Sequence, residues 1–205
     1  SYTNTGHIIA ALMLEQATGE SFPQLMQDHV IEPLGLDNTF YKTTAENTQN
    51  FARSYSSVID SNLEDITDYE VKNISNFGAS AAVFSNAEDV ARFTQALFGG
   101  ELLEQDSLWE VVNFVDTGLP SGNRYGIGVI EEADIASDPW GRKWKLSGNS
   151  FGHNSLSLYL PDNGGHTNTV LANAKYAFDN QVQLPSVPIL VGSLEAFSDE
   201  FISTT

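Results

Sequence analysis

The sequence predicts an α+β fold: an antiparallel sheet joined to a helical subdomain. Three observations carry this expectation. Apolar residues recur at helical spacing in four stretches of the first 118 residues. After Leu119 they alternate, as strands half-buried in a sheet do. The alternating segments succeed one another with short connections, which favours antiparallel pairing over crossover units. Residues 1–118 are therefore expected to form a mainly helical region and 119–205 a sheet region with a closing helix, together one incomplete domain.

Ser1-Tyr2-Thr3-Asn4 is a polar turn that runs into a helix from Thr5 to Thr18, with Ile8, Ile9, Leu12, Met13 and Ala17 at helical spacing and Gly19 as its stop. Ser21 is placed to cap a second helix that has Pro23 in its first turn and ends before Pro33. Residues 41–76 have no clean period and carry Asp60, Glu64, Asp65, Asp68 and Glu70. They read as a solvated acidic loop, since the acids match no calcium-loop spacing. Such a long loop suits a lid or the wall of a binding site. Phe77 to Phe84 is a stretch of small residues suited to close backbone packing. Ser85 and Glu88 have capping-box spacing before a helix that ends at Gly99-Gly100, and a shorter helix is expected from Gln105 to Phe114. Strands are expected at Arg124–Ile130, Trp144–Ser147, Ser155–Leu160 and His166–Ala174, and a last helix from Val187 to Phe201, with Pro188 in its first turn.

Composition excludes several functions. The 205 residues hold 27 acids against nine bases, a formal charge of −18 that repels nucleic acid and anionic membranes. No apolar run reaches the roughly 18 residues of a membrane helix. With no cysteine, disulfides, thiolate nucleophiles and Cys-bound metals are absent. His153 and His166 lack metal-ligand spacing with each other or with acids and read as surface or turn residues, so neither a metal nor a cofactor is expected. Gly148-Asn149-Ser150-Phe151-Gly152 spells a G-x-S-x-G elbow, but that motif needs a helix after it, and here alternation comes next.

Tyr2-Thr3-Asn4-Thr5-Gly6-His7 is weak alone and gains weight from the runs downstream of it: Glu15-Gln16-Ala17-Thr18-Gly19, Ser21-Phe22, Glu32-Pro33-Leu34-Gly35-Leu36 and Thr39-Phe40. Gly78 to Ser85 with Ala87 to Phe93, then Tyr125-Gly126-Ile127-Gly128, Leu160-Pro161-Asp162 and Val170 to Asn173 continue in order. Together these runs resemble the serine β-lactamase/penicillin-binding family, in the branch of class C β-lactamases, DD-carboxypeptidases and related esterases.

The resemblance implies a β-lactamase/transpeptidase-like fold and acyl transfer through a serine activated by the lysine of a Ser-x-x-Lys motif. Tyr2 and Asn4 match the family's Tyr-x-Asn. The phenol would shuttle a proton, and the carboxamide would orient the lysine and bind a substrate amide. The third motif falls on Leu146-Ser147-Gly148, the expected substrate-binding edge, and the backbone N–H of Asn149 would form half of an oxyanion hole. The implied partner is a small-molecule or peptide acyl substrate, and family habit places such proteins in the periplasm or outside the cell.

Two departures stand out. No Ser-x-x-Lys occurs in the chain, and Leu146 replaces the usual basic residue, with Lys145 on the other strand face. The first departure leads to the expectation of a fragment, a processed chain or half of a complex. The motif and the first sheet strands would then lie on a missing N-terminal segment, which as a separate chain would be a further partner. The second favours an ester or other neutral acyl substrate. An inactive relative that binds a peptide or cell-wall ligand, and an α/β-hydrolase using Ser150, are the alternatives.

Overall fold

The computed structural model describes residues 3–41, 51–57, 62–73, 76–118, 121–132, 140–178 and 181–183, with 176–178 and 181–183 described by backbone alone. The closing helix expected at 187–201 lies outside them. The described residues form an α+β structure divided into two compact units. One comprises residues 1–89, 148–154 and 171–185, and the other the remainder.

The first unit begins with α1 (Asn4–Thr18), capped by Thr3 and stopped by Gly19 at φ 76°. A left-handed φ costs a Cβ-bearing residue energy, so glycine is the natural stop. α1 buries only Ala11 and leaves Ile9, Leu12, Met13 and Leu14 about half exposed or more. Ser21 caps α2 (Phe22–Met26), accepting from Gln24 N. The helical path then continues as a π turn (Gln27–Ile31) and α3 (Glu32–Leu34), so Pro33 lies inside a helical segment rather than beyond its end. Inside a helix proline removes a ladder bond, and here the π turn just before it already breaks the regular spacing.

The stretch read as an acidic loop has structure of its own. β2 (Tyr55–Ser56) pairs antiparallel with β3 (Glu64–Asp65), and α4 (Thr67–Asn73) comes next. β2 also runs parallel to β11 (Ala174–Phe178), which pairs antiparallel with β12 (Gln181–Gln183). This small sheet is therefore mixed. A small ladder joins β1 (Phe40–Tyr41) to β4 (Val83–Phe84), with Phe40 and Phe84 stacked at 5.4 Å.

α5 (Ala87–Phe98) starts one residue later than expected. Asn86, not Ser85, caps it: Asn86 Oδ1 accepts from Asp89 N at 2.8 Å. Ser85 Oγ is drawn instead to Thr39 Oγ1 at 2.7 Å, and Asp89 accepts from Asn38 N and Thr39 Oγ1. Asn86→Ala is expected to cost about 1 kcal/mol, read as a fall in thermal midpoint of roughly 2–4 °C. Ser85→Ala should leave the helix start unchanged.

The second unit is built on a six-stranded sheet in the order β10-β9-β8-β7-β6-β5. Its strands are β5 (Val115–Asp116), β6 (Arg124–Tyr125), β7 (Ile130–Glu132), β8 (Lys143–Asn149), β9 (Asn154–Leu160) and β10 (His166–Ala172). The pairs from β5 to β8 are antiparallel. Residues 124–130 are a hairpin rather than one strand. Gly126 packs so tightly under the Val111 carbonyl that no Cβ fits, and Gly128 takes φ 73°. α6 (Gln105–Val111) ends three residues short of Phe114. The unit's apolar cluster gathers Phe98, Leu108, Val129 and Trp144, and a second cluster joins Leu156, Leu158 and Leu160.

Candidate active site

α1 starts where a threonine can cap it. Thr3 is extended, and its Oγ1 accepts from Gly6 N at 3.0 Å. That bond satisfies one of the donors every helix start leaves unmet. Asn4 is the first helical residue and is exposed. Tyr2 lies outside the described residues, and so does its distance from Gly148.

β8 carries Leu146-Ser147-Gly148, the run expected from the sequence to match the third motif. Its alternation turns Trp144 and Leu146 towards the apolar cluster of the second unit. Lys145, on the opposite face, bonds Glu132 Oε1 at 2.5 Å. Ser147, Gly148 and Asn149 are exposed at the strand's end.

The turn from Asn149 to His153 is held by polar side chains. Lys175 Nζ donates to Asn149 Oδ1 at 2.9 Å and to the Ser150 carbonyl. Ser150 N donates to the His153 carbonyl at 2.9 Å. Ser150 Oγ donates to one oxygen of Glu70, and Ser54 Oγ and His153 Nδ1 to the other, the latter at 3.0 Å. His153 Nε2 lies 3.0 Å from the Ala52 carbonyl. Both imidazole partners are acceptors, so the ring meets both only with a proton on each nitrogen. Phe151 packs on Tyr69 and Phe77, and Phe51 on the His153 ring.

Glu70 is 5% exposed. Burial pushes its carboxyl up, but the donors His153, Ser150 and Ser54 outweigh burial and hold it at about 2. Burial also pushes the Lys175 ammonium down, an effect opposed by the charge of Glu70.

Two readings of the sequence meet their structure in this turn. His153 does lie in a turn, but its ring is engaged on both nitrogens. The G-x-S-x-G run is no nucleophile elbow: β9 succeeds the turn where a helix is required, and Ser150 Oγ points at Glu70 instead of at an imidazole nitrogen. Glu70, Ser54 and Lys175 were not legible as a group, because nothing local marks one acid of a run as buried. Among the described residues no cluster of three or more His, Asp or Glu is placed to hold a metal ion. None of their helices is long and apolar enough to cross a membrane.

The chain is similar to known proteins over most of its length. Penicillin-binding protein PbpX of Bacillus subtilis is 24% identical over 106 residues, 52% of this chain and 26% of that protein. A D-stereospecific amidohydrolase from Streptomyces superposes with a TM-score of 0.74 at 26% identity, covering 85% of this chain and 50% of that one. A D-amino acid amidase from Ochrobactrum anthropi, solved with L-phenylalanine, superposes with a TM-score of 0.79 at 24% identity, covering 98% and 59%. The chain thus spans 50% and 59% of these two solved structures and about a quarter of the curated relative. The Beta-lactamase family model matches residues 1–185, and the chain belongs to the Beta-lactamase family.

Proposed function

We propose that this chain is part of a serine hydrolase that works through an acyl-enzyme, with its Ser-x-x-Lys segment on polypeptide outside these 205 residues. The observation that carries the reading is the family match over residues 1–185, which takes in Tyr2, Asn4 and the exposed edge Ser147-Gly148-Asn149. In the first half-reaction the serine oxygen would bond to the substrate's carbonyl carbon, and its proton would pass by way of the lysine and Tyr2 to the leaving group as that bond breaks. Asn149 N–H would stabilise the oxyanion together with the nucleophile's own N–H. Water would then release the acid and restore the serine. Exposed Ile9, Leu12, Met13 and Leu14 support a further segment packing on α1, whether in the same chain or a separate one.

Charge at this edge bears on the substrate class. Leu146 offers none, and Lys145 is committed to Glu132. A neutral ester or amide fits better than a carboxylate-bearing penicillin, and the amide-cleaving relatives support that direction. The setting proposed by analogy is the periplasm or cell exterior. The rival, an inactive relative that binds a peptide or cell-wall ligand, draws its support from Leu146.

Labelling of the full-length protein decides between them. A fluorophosphonate should label one serine, within an upstream Ser-x-x-Lys, while a fluorescent penicillin labels weakly. If neither reagent labels, or the encoded upstream sequence lacks the motif, the binding role stands instead.

A further inference from the structure

A turn between two strands ordinarily closes with little more than suitable backbone angles. The turn after β8 is built far more heavily. It is bonded by Glu70 of α4 and Lys175 of β11, and its Gly152 lies against the backbone of Tyr55 in β2. Burying a carboxylate costs several kcal/mol unless donors and opposite charge compensate it, and here Ser150, Ser54 and His153 all do so. Two of those three donors belong to the turn itself. Lys175 grips the same turn through Asn149 Oδ1 and the Ser150 carbonyl.

What this turn carries at its start is Asn149. An oxyanion-hole donor helps only when it is already in place as charge develops. An error of about 1 Å in such a position costs on the order of a hundredfold in rate. We propose that Glu70 is a positioning residue for acyl transfer: through Ser150 and His153, and with Lys175 gripping the same turn, it fixes the backbone N–H of Asn149. This rests on the acyl-enzyme reading above. Glu70 touches no reacting atom. Because the oxyanion exists only along the reaction path, the role acts on kcat and spares KM.

The test uses the full-length protein with its Ser-x-x-Lys segment and a nitrophenyl ester of a short acyl chain. Active sites are counted by fluorophosphonate titration, so unfolded protein does not contribute. Glu70→Gln keeps the side chain's size and one acceptor oxygen but removes the charge. Its kcat per titrated site should fall about tenfold or more, with KM within about threefold. An unchanged kcat per site overturns the role, whatever happens to yield or melting temperature, and so does a KM that rises as steeply as kcat falls. If Glu70→Gln gives no folded protein, Lys175→Gln reads the same turn from β11. The same split supports the proposal there, and an unchanged kcat overturns it. A parent protein that neither turns over ester nor labels removes the acyl-enzyme reading and this role with it. A parent that does both beside an unaffected variant removes the role alone.

Discussion

Gly152→Ala is expected to destabilise the protein by about 3 kcal/mol, a fall in thermal midpoint of roughly 6–12 °C for a chain of this size. Gly152 is buried, and a Cβ there would lie 3.0 Å from both the N and the O of Tyr55 and nearer still to Ser54 Oγ. Those are backbone atoms and a buried hydroxyl, so no flexible side chain can swing away. One response is for β2 to retreat, which strains the bonds from Tyr55 N to the Asn173 carbonyl and from Ser57 N to the Lys175 carbonyl, both 3.0 Å. The other is for the turn to lift, which pulls Ser150 and His153 off Glu70. Overpacking alone costs about 1–3 kcal/mol, and each hydrogen bond lost adds about 1. The smaller backbone entropy of alanine in the unfolded chain returns under about 1 kcal/mol. Gly164→Ala is the control. Gly164 has φ 68° with open space where a Cβ would go, so that substitution meets strain without a clash and should cost only about 1 kcal/mol. Thermal unfolding of both variants checks the contrast, and equal small shifts would remove the argument from close approach.

Elements whose cause is local were legible in the sequence. The stop of α1 at Gly19, the cap at Ser21 and the alternation that buries Leu156, Leu158 and Leu160 each depend on residues within a turn or a strand of one another. The misreadings have non-local causes. Ser85 had the right spacing for a cap, yet Thr39, 46 positions away, engages its hydroxyl, and Asn86 takes the role. Residues 124–130 alternate on paper, but crowding of Gly126 under Val111 and the left-handed Gly128 make a hairpin of them. Glu70 was one acid in a run of acids. Its burial is decided by Ser150 and His153, 80 and 83 positions on. At the site, the order of family-like runs led to Leu146-Ser147-Gly148, whereas the side chains that hold the turn after it, Glu70 and Lys175, come from α4 and β11.

The charge of Glu70 should also set how the fold responds to acid. Burial alone would raise its pKa, but the donors His153, Ser150 and Ser54 lower it from 4.5 to about 2. A carboxyl whose folded value is lowered binds protons more weakly folded than unfolded. Its stabilisation is therefore complete above the unfolded value and disappears as pH falls through the folded one. The gap corresponds to on the order of 3 kcal/mol, lost between about pH 5 and pH 2. Asp65, held at about 2 first by its bonds from Thr67 and then by Arg53, acts in the same direction but is open to solvent and adds little. A second effect runs the other way over part of the range. The chain's −18 charge opposes compaction near neutrality, and protonation towards its isoelectric point near 4.2 relieves that repulsion. The wild-type curve mixes both effects, and Glu70→Gln separates them: it keeps nearly all of the charge relief and loses the Glu70 limb. Urea unfolding at stepped pH should show the two proteins furthest apart at about pH 5 and converging by about pH 2, with the gap closing by about 3 kcal/mol. Parallel curves across that range would mean that Glu70 is not held in its charged form by its three donors, and the clamp on the Asn149 turn would lose its anchor.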